Sequence, residues 1–169
     1  ENNKNDDEQS MLETDYSGFL DVRYSNSIPP WDVTTRINVD VSREMETILF
    51  ESGTLSYSGD TIIGNDDSKI VRSGTWQIQP VGFLKESDND VTIEVDGGVS
   101  VMGDIMQVYA KNPSTGQWQL MTEQDMSSEP NADLVFSLQE AVIDGSNCGI
   151  STETGSIVWT LYLIPAVGN

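Results

Sequence analysis

The sequence predicts an all-β protein whose strands form an antiparallel meander that closes into a barrel, with a two-sheet β-sandwich as the alternative. Two observations carry this prediction. Apolar and polar residues alternate over several short segments, and turn-forming residues separate those segments. A long antiparallel sheet must close or stack, because open edges promote aggregation. Short connections favour the barrel, since a sandwich usually requires longer crossovers between its sheets.

Five segments alternate most regularly, with apolar side chains on one face and polar side chains on the other. In segment 90–96, for example, Val91, Ile93 and Val95 share one face. This pattern is typical of a strand with one buried and one wet face. The five segments are 18–24, 36–41, 75–79, 90–96 and 116–121. Turns are predicted at 58–60, 64–68, 86–90, 96–98, 112–116 and 144–147.

The segment 156–165 differs from the others because both of its faces are largely apolar. Trp159 and Leu161 lie on one face, and Val158 and Tyr162 lie on the other. A strand of this composition is covered on both sides. We therefore expect it either to be central to the domain or to present its outer face to a partner.

The polarity of the chain divides it into a linker and one domain. Residues 1–9 are polar and charged, and we assign residues 1–14 to a polar N-terminal linker. Residues 15–169 are assigned to a single β-domain, which is long enough to bury a core.

The charge of the chain bears on its partners. The sequence has 28 acidic residues against 8 basic ones, which gives a formal net charge of −20. Nucleic acids and anionic lipids are bound mainly through Lys and Arg, so this balance argues against both as partners. Cys148 is the only cysteine, so no intramolecular disulfide can form.

Catalysis has little support in the sequence. The chain contains no histidine, which removes Ser-His-Asp and Cys-His mechanisms together with the commonest metal ligand. A carboxylate-based hydrolase is the one enzyme class left open. The acidic turns 64–68 and 86–90 lack the ligand spacing of a calcium loop. We expect a non-enzymatic protein with no metal site and no cofactor.

Three tryptophans are the candidate ligand-binding residues: Trp31, Trp76 and Trp118. Trp31 follows two prolines in a predicted loop, where a rigid backbone could present the ring to a ligand. Trp76 and Trp118 occupy similar segments, each with a glycine two residues before the tryptophan and a glutamine after it. Indole rings suit sugars, because they combine a flat apolar face with a polar edge. Alternation nevertheless favours inward positions for Trp76 and Trp118.

The segment DYSGFLDV (15–22), the repeated hairpins and the closing strand IVWTLYLI (157–164) resemble small exported lipoproteins of Bacteroidetes with calycin- or lipocalin-like barrels. The stretch NKNDDEQ resembles the acidic linker that follows the lipidated cysteine in such proteins. The resemblance implies export to the outer membrane, cell surface or periplasm. It also implies that the only membrane contact is a lipid anchor outside this chain.

These observations lead to two functional hypotheses. The first is an exported, membrane-tethered β-domain that binds a small apolar molecule or a glycan. The second is a structural or assembly protein that docks a protein partner through the apolar C-terminal strand. An internal cavity lined by aromatic residues would favour the first, and a filled interior with a large exposed apolar patch would favour the second.

Overall fold

The computed structural model describes residues 12–166, which form strands in three antiparallel sheets and one short helix. The predicted turns at 64–68, 86–90, 96–98 and 112–116 lie at or close to strand ends. The elements, in chain order, are β1 (Tyr16–Ser27), β2 (Pro30–Ser42), β3 (Thr47–Phe50), β4 (Gly53–Ile63), β5 (Ser68–Ile78), β6 (Val81–Glu86), β7 (Val91–Asp96), β8 (Val99–Lys111), β9 (Trp118–Asp125), β10 (Asp133–Ser137), α1 (Leu138–Ile143), β11 (Ser146–Ser151) and β12 (Gly155–Pro165).

The largest sheet has five strands in the order β11-β12-β1-β2-β3 and curls into a half-barrel. Its inner face carries the apolar residues of each alternating segment, such as Leu20, Ile37 and Leu161. The strand β12 is paired with β11 on one side and β1 on the other. The C-terminal strand is therefore an interior strand of its sheet, but it is not covered on both faces, because Val158 and Tyr162 are half-buried and Ile164 is exposed.

A second sheet has four strands in the order β4-β5-β8-β9. It meets the five-stranded sheet where β2 runs beside β4, and the Thr35 hydroxyl donates a hydrogen bond to the Thr54 carbonyl there (2.6 Å). The strand β9 is paired only with β8 among the described residues. The register between β8 and β9 shifts at Val108/Tyr109, which leaves Met121 without a cross-strand partner.

The third sheet has the order β10-β7-β6 and faces the interior through Val91, Ile93 and Phe136. Helix α1 follows β10 and is capped by Ser137, whose hydroxyl accepts a hydrogen bond from the amide of Glu140. No helix in residues 12–166 is long and apolar enough to cross a bilayer.

The prediction of an all-β, antiparallel protein is confirmed, but two details of it are wrong. The strands do not follow one meander, because the β6–β7 hairpin lies in the chain between the neighbouring strands β5 and β8. The predicted turn at 58–60 lies inside β4. A Cβ atom on Gly59 would stand 2.4 Å from the Pro30 carbonyl oxygen, so this glycine serves the close approach of β2 rather than a turn.

The assignment of residues 1–14 to a linker falls mainly on residues outside the described range. Of the part that is described, Leu12 is buried in the core and β1 begins at Tyr16.

Candidate functional site

The structure brings two of the three candidate tryptophans together and places the third elsewhere. Trp31 is the second residue of β2, and Trp76 lies near the end of β5. Both are buried, with 7% and 3% of their surface exposed. Trp118 opens β9 and is half-buried on a different face of the four-stranded sheet.

Trp31 and Trp76 belong to a buried group of four rings that we call the aromatic junction: Tyr24, Trp31, Tyr57 and Trp76. Tyr24 stacks on Trp76 with ring centroids 4.7 Å apart, and Trp31 stacks on Tyr57 at 4.8 Å. Tyr24 also meets Trp31 edge-on at 5.3 Å. These residues come from β1, β2, β4 and β5, so the junction joins the five-stranded sheet to the four-stranded sheet.

A buried ion pair completes the junction. Arg72 binds Asp104 through two hydrogen bonds of 2.9 and 2.8 Å, and Tyr57 donates a third bond to the same carboxylate (2.5 Å). Tyr57 reaches Asp104 across β5 at Gly74, where a Cβ atom would stand 2.2 Å from the tyrosine oxygen. The missing side chain at residue 74 is what allows this crossing.

Burial shifts the proton affinities of these groups. The pKa of Tyr57 is raised well above its ordinary value of 10.0, first by burial and then by the hydrogen bond to Asp104. Burial also raises the pKa of Tyr24. The hydrogen bonds to Asp104 raise the pKa of Arg72, so the guanidinium stays charged.

The aromatic junction offers no ring face to a ligand, because its rings cover one another. The aromatic junction is therefore a closed contact between the five-stranded and four-stranded sheets. The Trp31 indole nitrogen is buried and has no hydrogen-bond partner in residues 12–166.

Trp118 belongs to a second group, on the face of the four-stranded sheet that points away from the junction. We call this the outer face. The register places Lys69 opposite Tyr109, and Lys111 opposite Trp118. Side chains directly opposite each other in antiparallel strands share a face. These four residues form what we call the lysine–aromatic cluster.

The distances within the lysine–aromatic cluster are those of cation–π contacts. The Lys69 ammonium lies 5.1 Å from the Tyr109 ring centroid and 5.0 Å from that of Trp118. The Lys111 ammonium lies 5.7 Å from the Trp118 ring centroid. Neither lysine forms an ion pair with a carboxylate among the described residues. The arrangement can therefore bind a planar or apolar ring and an anion side by side.

A hydrogen-bonded chain extends from the cluster along the outer face. The Tyr109 hydroxyl donates to the Gln107 side-chain oxygen (2.9 Å), and the Gln107 amide donates to Glu123 (2.8 Å). This chain fixes the orientation of the Tyr109 ring. It also engages the Glu123 carboxylate, which lies opposite Gln107 in the next cross-strand row.

The same face carries an open groove of about 540 Å³ on β4, β5 and β8. Serine and threonine hydroxyls, two glycines and the exposed side chain of Met102 line it. A Cβ atom on Gly103 would meet nothing within 4 Å, which shows how open the groove floor is. Its lining includes Ser56, Ser58, Ser73, Thr75, Gly103 and Ile105.

Asp90, in the acidic turn 86–90, has a structural role. Asp90 accepts hydrogen bonds from the amides of Val91 (2.7 Å) and Gln139 (3.2 Å) and from the Ser137 hydroxyl. It therefore joins β7 to the start of α1. Across residues 12–166, no three acidic or cysteine side chains are close enough to hold a metal ion. The half-buried Cys148 donates through its sulfur to the Val135 carbonyl (3.1 Å).

The prediction that Trp118 faces inward is wrong, because the register places it on the outer face, and the sequence analysis did not predict its partners there. A signal for one of them was available, because the predicted turn 112–116 implies a hairpin that pairs Lys111 with Trp118. No comparable signal existed for Lys69 or Tyr109, since β5 and β8 are distant in the chain.

Comparison of the chain with protein-family models, with curated proteins and with solved structures gives no match.

Proposed function

We propose that this chain is a non-enzymatic, exported β-domain that binds a glycan on the outer face of its four-stranded sheet. The observation that carries the proposal is the lysine–aromatic cluster, where Tyr109 and Trp118 share a face that no described element covers. Sugar rings present C–H faces that pack on aromatic rings, and hydroxyls that bind polar neighbours.

The hydroxyl-lined groove supports an extended ligand rather than a single sugar. Lys69 and Thr75 both lie on β5 and mark the cluster and the groove, respectively. Thr75 lies six positions beyond Lys69 along the strand, a distance of about 20 Å at the rise of a β-strand. The outer face therefore offers aromatic contact at one end and serine and threonine hydroxyls towards the other.

A small apolar ligand inside the domain is less well supported. The core between the sheets is filled by large side chains such as Trp159, Phe136 and Leu20, which are fully buried. Trp31 and Trp76, two of the residues expected to contact such a ligand, stack on tyrosines instead. Among the three, we assign ligand contact to Trp118.

We also propose that the five-stranded and three-stranded sheets close into a calycin-like barrel by packing. Gly82 of β6 lies against Phe50 of β3, and the Cys148 sulfur bridges β11 to the carbonyl of Val135 in β10. The alternative is a sandwich with open edges. Side-chain contacts measured by NMR distinguish the two, because a barrel closed by packing predicts contacts between β3 and β6 and between β10 and β11 in solution, and a sandwich with open edges predicts none.

The proposed export and membrane tether of the chain depend on its N-terminal segment. We propose that residues 1–9 are a spacer to a lipid anchor outside this chain. Limited proteolysis that removes these residues should leave the melting temperature unchanged. A drop of several degrees would mean that the segment is part of the fold, which would argue against a spacer.

Docking of a protein through β12 is the second candidate. One observation favours it: Ile164 is 62% exposed, at the end of a row that also contains Tyr162 and Val158. Since β11 and β1 already pair with the β12 backbone, only this outer face is free to dock. Tyr162 packs on Phe19 at 5.1 Å, which reduces the apolar area available.

A glycan array followed by calorimetric titration tests the proposed function. We expect the full chain to bind at least one oligosaccharide, to leave it chemically intact, and to lose binding in Trp118→Ala. The matched control is Phe83→Ala, which removes an aromatic ring that is 58% exposed on the three-stranded sheet. Equal loss in both variants, or the absence of any bound glycan, would reject the proposal.

A further inference from the structure

We infer that the saccharide held by the lysine–aromatic cluster is acidic and places a single carboxylate or sulfate against Lys69 and Lys111. This inference rests on the proposed function, because it specifies the ligand of the same site. It goes beyond that function by stating what selects the ligand. The selecting groups are the lysines, and the aromatic rings supply contact area.

The distribution of cations supports an anionic ligand. Arg23, Arg36 and Arg72 each form hydrogen-bonded ion pairs with aspartates. Lys69 and Lys111 form none within residues 12–166, and both ammonium groups lie near one indole ring. Arg43 is the other described basic residue without an ion pair, so what distinguishes Lys69 and Lys111 is that two unpaired cations lie together on a chain of net charge −20.

The positions of the lysines decide between neutral and acidic sugars. Each ammonium lies near the Trp118 ring, where a sugar would stack. A neutral sugar that stacks on Trp118 must displace an ammonium group from the ring. It then offers that ammonium group only hydroxyls as new partners. An acidic sugar offers a charge-assisted hydrogen bond, which is stronger than a cation–π contact at an exposed site. The lysines therefore penalise neutral ligands and favour anionic ones.

The charge of the whole chain limits how acidic the ligand can be. A long polyanion is repelled by the other acidic residues, because repulsion grows with the number of ligand charges. A saccharide with one acidic group needs only the local field of Lys69 and Lys111. A neutral oligosaccharide capped by one uronic acid satisfies both conditions.

Titration calorimetry with a matched ligand pair tests the inference. The pair consists of an oligosaccharide capped with one glucuronic acid residue and the methyl ester of the same molecule, which removes only the charge. We expect the full chain at low salt to bind the acid about tenfold more tightly than the ester, the equivalent of one charge-assisted hydrogen bond. A third arm uses the same oligosaccharide with a single sulfate, and tighter binding of that arm would identify the anion as sulfate.

Charge variants locate the source of the preference. The double variant Lys69→Met and Lys111→Met keeps the aliphatic stems but removes both charges, so we expect equal affinity for acid and ester. Lys85→Met is the matched control, because Lys85 lies on β6 and is 67% exposed. This control should keep the tenfold preference.

The possible failures are distinguishable. Equal binding of acid, sulfate and ester by the unmodified chain overturns this inference and leaves glycan binding intact. No binding of any of the three, together with an empty array, overturns glycan binding as well. A preference for the acid that survives in the double lysine variant overturns the assignment to Lys69 and Lys111.

Discussion

The segments SGTWQIQ (73–79) and TGQWQLM (115–121) are nearly alike in sequence and opposite in environment. Trp76 points inward and stacks on Tyr24 at 4.7 Å, with 3% of its surface exposed. Trp118 points to the outer face, where the ammonium groups of Lys69 and Lys111 lie 5.0 and 5.7 Å from its ring centroid. The local pattern determines that each tryptophan lies on a strand. The strands packed above each one determine whether its ring is core or surface.

The largest expected effect on stability comes from truncating each of the two tryptophans to alanine. Trp76→Ala should lower the free energy of unfolding by about 4 kcal/mol, because it removes a buried ring from a packed cluster. Trp118→Ala should lower it by less than about 1 kcal/mol, since its ring is half-exposed. Denaturant unfolding measures both values. Equal losses would mean that Trp118 is also part of the core.

The next test concerns the carboxylates on the two faces of the same sheet. Asp104→Asn should cost about 3 kcal/mol of stability, because it leaves the mostly buried Arg72 guanidinium without its counter-charge. Glu123→Gln on the exposed β9 should change stability by less than about 0.5 kcal/mol. If Glu123→Gln proved the costlier change, the assignment of inner and outer faces would be wrong.

Two glycines sharpen the comparison further. Gly74→Ala places a Cβ atom where Tyr57 crosses β5, and we expect a loss of about 2 kcal/mol from the displaced ring. Gly103→Ala on the outer face meets no atom within 4 Å and should be nearly neutral in thermal unfolding. A neutral Gly74→Ala would show that Tyr57 does not need its path to Asp104.

The smallest expected effect is the dependence of stability on alkaline pH. The pKa of Tyr57 is raised in the folded state, so the folded chain holds this proton at a pH where the unfolded chain releases it. Its contribution is therefore complete below pH 10.0, the ordinary pKa, and is lost as the pH rises above that value.

Tyr57→Phe should cost about 1.5 kcal/mol at neutral pH, because the hydrogen bond to Asp104 is lost. It should also flatten the decline in stability above pH 10.0. Unfolding curves measured across that range check both effects. An unchanged decline would assign it to other tyrosines, of which Tyr24 also has a raised pKa.

The sequence predicted the parts of the fold that depend on neighbours in the chain. Segment 90–96 is β7 almost residue for residue, and its apolar residues Val91, Ile93 and Val95 are all buried. The contact of Tyr57 with Asp104 joins residues 47 positions apart. No local pattern encodes such a contact, so the aromatic junction could not be predicted.

The candidate site was predictable to the same extent. Trp118 and the hairpin before it follow from local signals, and that hairpin places Lys111 beside the ring. The other half of the site comes from β5, whose pairing with β8 skips two intervening strands. Alternation also could not tell that the outer face of this sheet has no described layer above it.

The register shift at Met121 has a consequence for solubility. Among the described residues β9 is an edge strand, and a regular edge of this length invites pairing between copies of the chain at high concentration. The unpaired residue interrupts the row of backbone donors and acceptors, while Glu123 and Asp125 bring like charges to any self-pairing. The irregularity therefore protects the chain against assembly into extended sheets.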